Sequence, residues 1–318
     1  MQTKAIPKEY KKQRKSGIKY IAETYYRQRY LFIALIPALI YYIVFHYGSM
    51  YGLLIAFKDF NFSKGIMGSP WVGLANFKLF LNSRDFTTVL GNTLTISLMQ
   101  LVIGFPMPII FALLLNEVRI SSYKRVIQTV SYMPHFLSWV VLAGIFIEIL
   151  SPSRGIVNVV LMKLGFEPIH FMASKAWFRW VLVFTSVWKE MGWNSIIYLA
   201  ALTGIDACLY EAASIDGASR MKQMYYVTIP SILPIVSIML IMSIGKLLND
   251  NFDQIINMYN SSVYSVADVI STYVYRMGLV DFKYSFATAV DVFKNVISFI
   301  LVILANTVAK RIGDYGIW

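Results

Sequence analysis

The chain is poor in charge and in cysteine for a protein of 318 residues. Charged residues make up 14% of it, whereas soluble domains carry about 25%. Hydrophobic residues make up 57%, against about 45–50% in a soluble domain. Cys208 is the single cysteine, which excludes a disulfide framework and a cysteine-based metal site. This composition excludes the soluble globular, disordered and fibrous classes, and it predicts an integral membrane protein.

Catalytic and nucleotide-binding motifs are missing as well. The chain contains no G-x-x-x-x-G-K-[ST] phosphate loop, no H-E-x-x-H and no G-x-S-x-G. Its histidines, His46, His135 and His170, are scattered and have no carboxylate or cysteine at metal-ligand spacing. We therefore expect neither ATPase nor other enzymatic activity in this chain, and no metal site.

Positive charge is concentrated at the N-terminus. The net charge is +12, and nine of the 29 lysines and arginines fall within the first thirty residues. An apolar segment follows them in place of the basic-plus-aromatic pattern of RNA-binding proteins, so we expect a cytoplasmic membrane-edge anchor and no nucleic-acid partner. That segment is too long for the core of a signal peptide, and no cleaved signal is expected.

Long stretches without charge predict the membrane spans. A span needs about 20 mostly apolar residues, and four charge-free windows predict helices near 31–53, 89–115, 126–148 and 225–247. Two further stretches contain charges: 178–202 holds Lys189 and Glu190, and 286–308 holds Asp291 and Lys294, which are expected to compensate each other. Rejecting both stretches gives four helices. We predict an all-α protein with six, made of a basic tail, 1–30, and one membrane domain, 31–318.

The loops indicate the orientation of the chain. With six spans and the N-terminus inside, the cytoplasmic pieces carry sixteen lysines and arginines, and the outside pieces carry nine. Because positive residues are retained on the cytoplasmic side, both termini are expected in the cytoplasm.

The cytoplasmic loop between the fourth and fifth predicted spans, about 203–228, has a distinctive pattern. It reads Glu211-Ala212-Ala213, then Asp216-Gly217-Ala218, and further on Val227-Thr228-Ile229-Pro230. These residues predict a helix over 205–215 and a turn at Asp216-Gly217, where glycine accepts backbone angles that other residues resist. A second helix over 218–227 should follow, with proline opening the next span. Composition alone is equally consistent with an ordinary helical hairpin.

The full pattern resembles the EAA loop of binding-protein-dependent ABC importer permeases. E-A-A, D-G-A and a hydrophobic-x-hydrophobic-Pro all stand at matching spacing, with Ile229 where leucine is more usual. Two outside loops are similar to those of carbohydrate permeases, in Trp71 to Phe77 with Asn92-Thr93, and in Asn251 to Gln254 with Thr272 to Leu279. The chain is most similar to the LplB/YtcP-like branch of carbohydrate uptake transporter family 1.

This resemblance implies a type I ABC importer permease for a carbohydrate, with an oligosaccharide as the expected substrate, in the plasma membrane. It implies a heterodimer with a second homologous permease, an ABC ATPase dimer that binds ATP and Mg, and an extracellular sugar-binding lipoprotein. This chain itself would hold no cofactor. By the same resemblance, the residues that couple it to the ATPase are Glu211, Ala212, Ala213, Asp216, Gly217 and Ala218.

Polar and aromatic residues inside the spans are candidates for the substrate path. Ionisable and amide groups usually face the interior of a bundle, and a sugar presents both polar edges and apolar faces. The candidates are Trp188, Glu190, Trp193 and Asn194 in the fourth span, and Asn249, Asp250 and Asp253 near the end of the fifth. The open alternatives are a structural ion pair from Lys189 and Glu190 to a neighbouring helix, an interfacial aromatic belt for the tryptophans, and a gate or receptor-docking role for 249–253.

Two other classes of function compete. A stand-alone secondary transporter of a polar solute would need no partner, but six spans without a visible repeat are few for such folds, and the EAA pattern would have no role. A membrane-embedded enzyme would need convergent catalytic groups, which the sequence does not contain.

Overall fold

A computed structural model describes residues 26, 28–248 and 251–313, with side chains as far as residue 311. The tail 1–25 and two substrate-path candidates, Asn249 and Asp250, lie outside the described residues. Within the described ranges the chain is helical, and β-pairing there is limited to one isolated bridge between Lys58 and Trp71. The all-α prediction is confirmed.

The longer helices of the described chain, together with one short helix, Phe252–Met258, position the functional regions. Short π-helical and 3-10 turns inside them are counted with the helix that they interrupt. The helices are α1 Arg29–Phe57, α2 Asp85–Glu117, α3 Ser121–Phe136, α4 Trp139–Ile149, α5 Phe178–Thr203, α6 Ala207–Ile215, α7 Arg220–Gly245, α8 Phe252–Met258 and α9 Tyr284–Arg311.

Four of these helices, α1, α2, α7 and α9, are each long and apolar enough to cross a membrane. Two further spans arise when a bent pair counts as one: α3 with α4, bent by 106°, and α5 with α6, bent by 69°. The described chain therefore contains four to six candidate spans, which is the range that the sequence indicated with and without the two charged stretches.

The predicted third span, 126–148, is not one helix. A 3-10 turn, Met133–Phe136, ends α3, and Ser138 then begins α4 by accepting a hydrogen bond from the Val141 amide. The ammonium of Lys189 binds the carbonyl oxygens of His135 and Leu137 at 2.6 and 3.0 Å. The carbonyls exposed at the break thus have a partner, which is the condition for an interrupted helix among apolar surroundings.

The predicted start of the fifth span is also corrected. We expected one helix over 218–227 and a proline that opens the next, but α7 runs without interruption from Arg220 to Gly245. A π-helical turn, Met224–Thr228, joins its two parts. Because this turn shifts the hydrogen-bond register just before Pro230, the helix continues through a residue that has no amide donor.

The described chain divides into two compact units, one ending at Leu54 and one beginning at Ile55. In the first, α1 contains Pro37 and a π-helical turn, Tyr42–Tyr47. Ring contacts follow that turn, from Tyr41 to Phe45 at 5.2 Å between centroids and from Tyr41 to His46 at 5.8 Å. An offset of four residues, or of five across a π-helical turn, places two rings on the same side of a helix.

In the second unit, α5 is the central helix. Near its start, Phe178 and Leu182 are buried with Ile255 of α8, and near its end Tyr198 and Leu202 are buried with Leu115 of α2. Small residues allow close helix contact within a membrane, and Gly192 of α5 lies directly against Ser131 of α3. This packing fixes α2, α3 and α8 around α5.

A polar network fastens the segment after α8 to α2 and α5. Arg276 donates two hydrogen bonds to the carboxylate of Asp268, at 2.6 and 3.1 Å. Asn92 of α2 donates to the Asp268 carbonyl at 3.0 Å and accepts from Arg179 of α5 at 2.8 Å. Thr93 accepts from the Ile270 amide at 2.9 Å. Asn92 and Thr93, noted above as a family resemblance, therefore have a structural role here.

Candidate functional site: a coupling loop and a cavity

The EAA residues lie on α6, a helix with a defined start. The side chain of Asp206 accepts a hydrogen bond from the Cys208 amide at 2.9 Å, which caps one of the free donors at the helix N-terminus. That hydrogen bond holds the pKa of Asp206 below its usual value. This cap fixes the residue at which α6 begins, after the bend that follows α5.

The D-G-A residues form the end of α6. Gly217 has a φ of +76°, a left-handed conformation that suits glycine. The Gly217 amide donates to the Ser214 carbonyl at 3.1 Å, and the Ala218 amide donates to the Ala213 carbonyl at 2.9 Å. This pair of hydrogen bonds is the Schellman motif, which satisfies the last carbonyls of a helix. The expected turn is confirmed.

One side of the loop is exposed and contains much of the EAA motif. Glu211, Ala212, Asp216 and Gly217 are exposed, whereas Ala213 and Ala218 are half-buried. Two large apolar side chains join this surface, because Ile215 is 87% and Met221 is 71% exposed. Exposed apolar groups beside charged ones are typical of a surface that receives a partner. The sequence pattern did not single out Ile215 or Met221, although both flank the D-G-A turn.

The other side of the loop is tied to two spans. The Tyr210 hydroxyl is 2.9 Å from that of Thr228 in α7, and Gln223 donates to the Ser214 hydroxyl at 2.9 Å and to the Ala218 carbonyl at 3.1 Å. A further ion pair, 3.6 Å long, joins Arg220 to Glu117 at the end of α2. The loop is therefore held against both α2 and α7.

A cavity of about 330 Å³ lies between α2, α5 and α7. Its volume is at the lower end of the range for small-molecule sites, about 300–1,000 Å³. Apolar side chains such as Phe105, Met191 and Met239 share the lining with polar ones. The polar side chains are Ser97, Gln100, Ser186, Glu190, Asn194, Tyr198, Ser243, Lys246 and Asn251.

Two irregular segments form part of the wall. The π-helical turn Gln100–Gly104 in α2 is one of them, and such turns are frequent at functional sites. The other is the break between α7 and α8, which brings Lys246 and Asn251 to the cavity. Asn251 donates to the Ser186 hydroxyl at 3.0 Å, and Gln254 donates to the Leu182 carbonyl at 2.8 Å. These two hydrogen bonds to α5 fix the chain on the α8 side of the break.

The structure separates the candidates in the fourth span. Glu190 and Asn194 both line the cavity. Trp188 does not: its ring contacts Phe146 of α4, with centroids 5.5 Å apart. Trp193 is parallel to the ring of His135, with centroids 4.4 Å apart. Asp253 is exposed in the first turn of α8 and is not part of the lining. A sugar contact at any of these residues stays a prediction.

Glu190 also takes part in a structural cluster at the break between α3 and α4. Its carboxylate is 2.9 Å from Nδ1 of His135 and 3.7 Å from the ammonium of Lys189. The ion pair considered as an alternative is therefore present, and Glu190 serves the cluster while facing the cavity. The expected pair between Asp291 and Lys294 is present too, at 3.0 Å.

Sequence reasoning missed Lys246 and Asn251 as cavity residues, and the sequence signal at Gln100 is weak. Lys246 ends a charge-free window and lies at the end of the predicted span 225–247, a position that gives no sign of a cavity. Gln100 is a single amide within an apolar stretch, a weak signal that becomes informative only with the cavity.

These features define an α-helical, multi-pass membrane transport subunit that has a capped, exposed loop and a polar cavity between its spans. Residues 104–314 match the family model of the binding-protein-dependent transport system inner membrane component. The chain belongs to this family of ABC transporter permeases, which are non-catalytic subunits. Membership sets aside the stand-alone transporter and the membrane enzyme.

Relatives from Bacillus subtilis (strain 168) match over nearly the whole chain. The polygalacturonan/rhamnogalacturonan transport system permease protein YteP is 42% identical, over 92% of this chain and 91% of its own length. Protein LplB is 44% identical, over 92% of each chain.

A solved structure shows the same fold. A chain in the crystal structure of a bacterial ABC transporter involved in the import of the acidic polysaccharide alginate is 38% identical. The TM-score is 0.85, over 92% of this chain and 99% of that one. A second crystal structure shows the bacterial alginate transporter in complex with an alginate pentasaccharide-bound periplasmic protein, at the same identity and TM-score.

Proposed function

We propose that this chain is one permease of an ATP-driven importer of carbohydrates, with oligosaccharides as its substrates. The observation that carries the proposal is the loop after α5, which is capped at both ends of α6, tied to two spans on one side and exposed on the other. The carbohydrate class is supported by relatives above 35% identity whose names specify polysaccharide import.

Coupling follows from where the loop is attached. The exposed surface around Glu211 and Gly217 would enter a groove on one subunit of a partner ATPase dimer, which binds ATP and Mg and hydrolyses the nucleotide. Motion of that dimer would pass from α6 to α7 through the contacts of Tyr210 with Thr228 and of Ser214 with Gln223. It would pass from the start of α7 to α2 through the Arg220–Glu117 ion pair. Because α2 and α7 both line the cavity, displacement of the loop would change access to it.

The remaining partners complete the path for the sugar. A second homologous permease would supply the other half of the channel, and an extracellular sugar-binding lipoprotein would deliver the substrate. The basic N-terminal tail favours a multi-pass chain in the plasma membrane with both termini in the cytoplasm. No cofactor is assigned to this chain.

Purification tests the assembly. The tagged chain is extracted from its native membrane in mild detergent, and the retained proteins are identified by mass spectrometry. A homologous permease, an ABC ATPase and a binding lipoprotein are expected, and in liposomes the complex should take up labelled oligosaccharides only with ATP. Recovery of the chain alone, with uptake that needs no nucleotide, would contradict the proposal.

A further inference from the structure

The charged side chains that line the cavity differ in whether the protein supplies a counter-ion. Glu190 and Lys246 are its charged residues within the part of the chain that the structure describes. Glu190 lies near the ammonium of Lys189 and the ring of His135, so its charge is compensated within the protein. Lys246 has no ion pair to any described residue. Within the described lining, Lys246 is therefore the charged side chain without a counter-ion.

Lys246 is also placed where a substrate can reach it. It is the residue that follows α7, at the break between α7 and α8, and it is exposed to the cavity. Glu190, which shares this lining, is near the middle of α5, so the cavity lies well inside the span. An ammonium that lines a cavity between spans is costly unless it faces water or a charged ligand.

A second group in the same cavity lining can donate to an anion. Gln100 lines the same cavity, and its Nε2 atom is buried without a hydrogen-bond partner among the described residues. A turn of the terminal amide would direct this donor into the cavity. An ammonium and an amide donor together suit a carboxylate, which only accepts hydrogen bonds.

We infer that Lys246 binds the carboxylate of an acidic oligosaccharide and sets a preference for uronate-containing substrates, with Gln100 as a supporting donor. The inference rests on the proposed function and narrows its substrate class. Two relatives agree with it, since alginate is an acidic polysaccharide and polygalacturonan is built from galacturonic acid. A purely structural role, as a cation near the C-terminal end of a helix, is the competing explanation for Lys246.

The test compares two matched sugars in the complete transporter, purified with its partners and placed in liposomes. One probe is a labelled trisaccharide of galacturonic acid, and the other is its uncharged methyl ester. The binding protein is first saturated with each probe, so that differences arise in the membrane complex. For Lys246→Met, uptake of the acid is expected to fall about tenfold or more relative to the ester, because a charge-assisted hydrogen bond is lost.

Two variants control this result. Lys246→Arg keeps the charge and should restore the preference for the acid, whereas Lys310→Met removes an exposed lysine from the last turn of α9 and should leave it unchanged. Equal effects of Lys246→Met on both probes, or none on either, would overturn the inference while carbohydrate import stands. Failure of the unaltered transporter to import any oligosaccharide would instead overturn the proposed function.

Discussion

At the residue scale, Gly217 shows how one backbone angle controls the coupling loop. Its φ of +76° belongs to the left-handed region, yet no atom lies within 4 Å of where a Cβ would stand. Glycine is therefore required here by the backbone conformation, and not by a lack of space for a side chain. For other residues this conformation costs about 1–2 kcal/mol of free energy.

Gly217→Ala is expected to destabilise the Schellman turn by about 1–2 kcal/mol and to lower ATP-driven uptake, while the protein still inserts. Gly217→Val, which adds a β-branched side chain, should abolish uptake. Gly165 is the matched control, because its φ is +85° and its surroundings are equally open. Uptake should survive Gly165→Ala, and normal uptake by Gly217→Val would show that the turn does not couple.

Gly192 presents the opposite situation, since space alone requires glycine there. A Cβ at this position would overlap the backbone of Ser131 in α3. Gly192→Ala should separate α5 from α3 and lower thermal stability in detergent, an overpacking cost of about 1–3 kcal/mol. Gly144→Ala in α4, where nothing lies within 4 Å, should be neutral or slightly stabilising. Equal melting temperatures for the two variants would show that this helix contact is not tight.

At the element scale, α6 depends on its N-terminal cap. The hydrogen bond from the Cys208 amide places the pKa of Asp206 below the ordinary 3.8. A carboxylate with a depressed pKa stabilises the folded state above the unfolded pKa, and this contribution disappears as the pH falls through the lower folded value. Acid should therefore loosen the start of α6.

Hydrogen exchange at the Cys208 amide measures this effect. In the unaltered protein, exchange corrected for its intrinsic pH dependence should be protected at neutral pH and lose protection below about pH 3.8. Asp206→Ala should expose the amide at neutral pH, because the acceptor is gone. Asp206→Asn keeps an uncharged acceptor and should abolish the pH dependence, so persistence of that dependence would assign it to another group.

The elements also explain how far prediction from the sequence could reach. Charge-free windows located α1, α2 and α7 to within about five residues at each end, because desolvation of charge dominates in a membrane. They could not reveal the break between α3 and α4, since it depends on Lys189, a residue fifty positions away whose ammonium binds the carbonyls freed there. Hydropathy reports solvation of side chains and not hydrogen bonds made between distant segments.

At the scale of the whole molecule, the loop was the most predictable site and the cavity the least. The loop is a local motif, so its cap and turn follow from Asp206 and Gly217 in sequence order. The cavity is formed by α2, α5 and α7, and residues such as Lys246 acquire meaning only when those helices meet. Glu190 and Asn194, which were candidates as polar residues inside a span, line the cavity, whereas Trp188 and Trp193 pack elsewhere. Their contact with a substrate stays a prediction.

The central claim is that the exposed surface of α6 transmits the work of a partner ATPase to the spans. Glu211→Lys tests it most directly, because it reverses one exposed charge on this surface outside the contacts that hold the loop. Exposed Glu167→Lys, in the segment between α4 and α5, is the matched control.

The measurement is ATP-driven oligosaccharide uptake and ATPase retention in the same purified preparation. The account predicts that Glu211→Lys inserts and folds normally but loses both retained ATPase and uptake, while Glu167→Lys keeps both. Normal ATPase retention and uptake by Glu211→Lys would contradict the account.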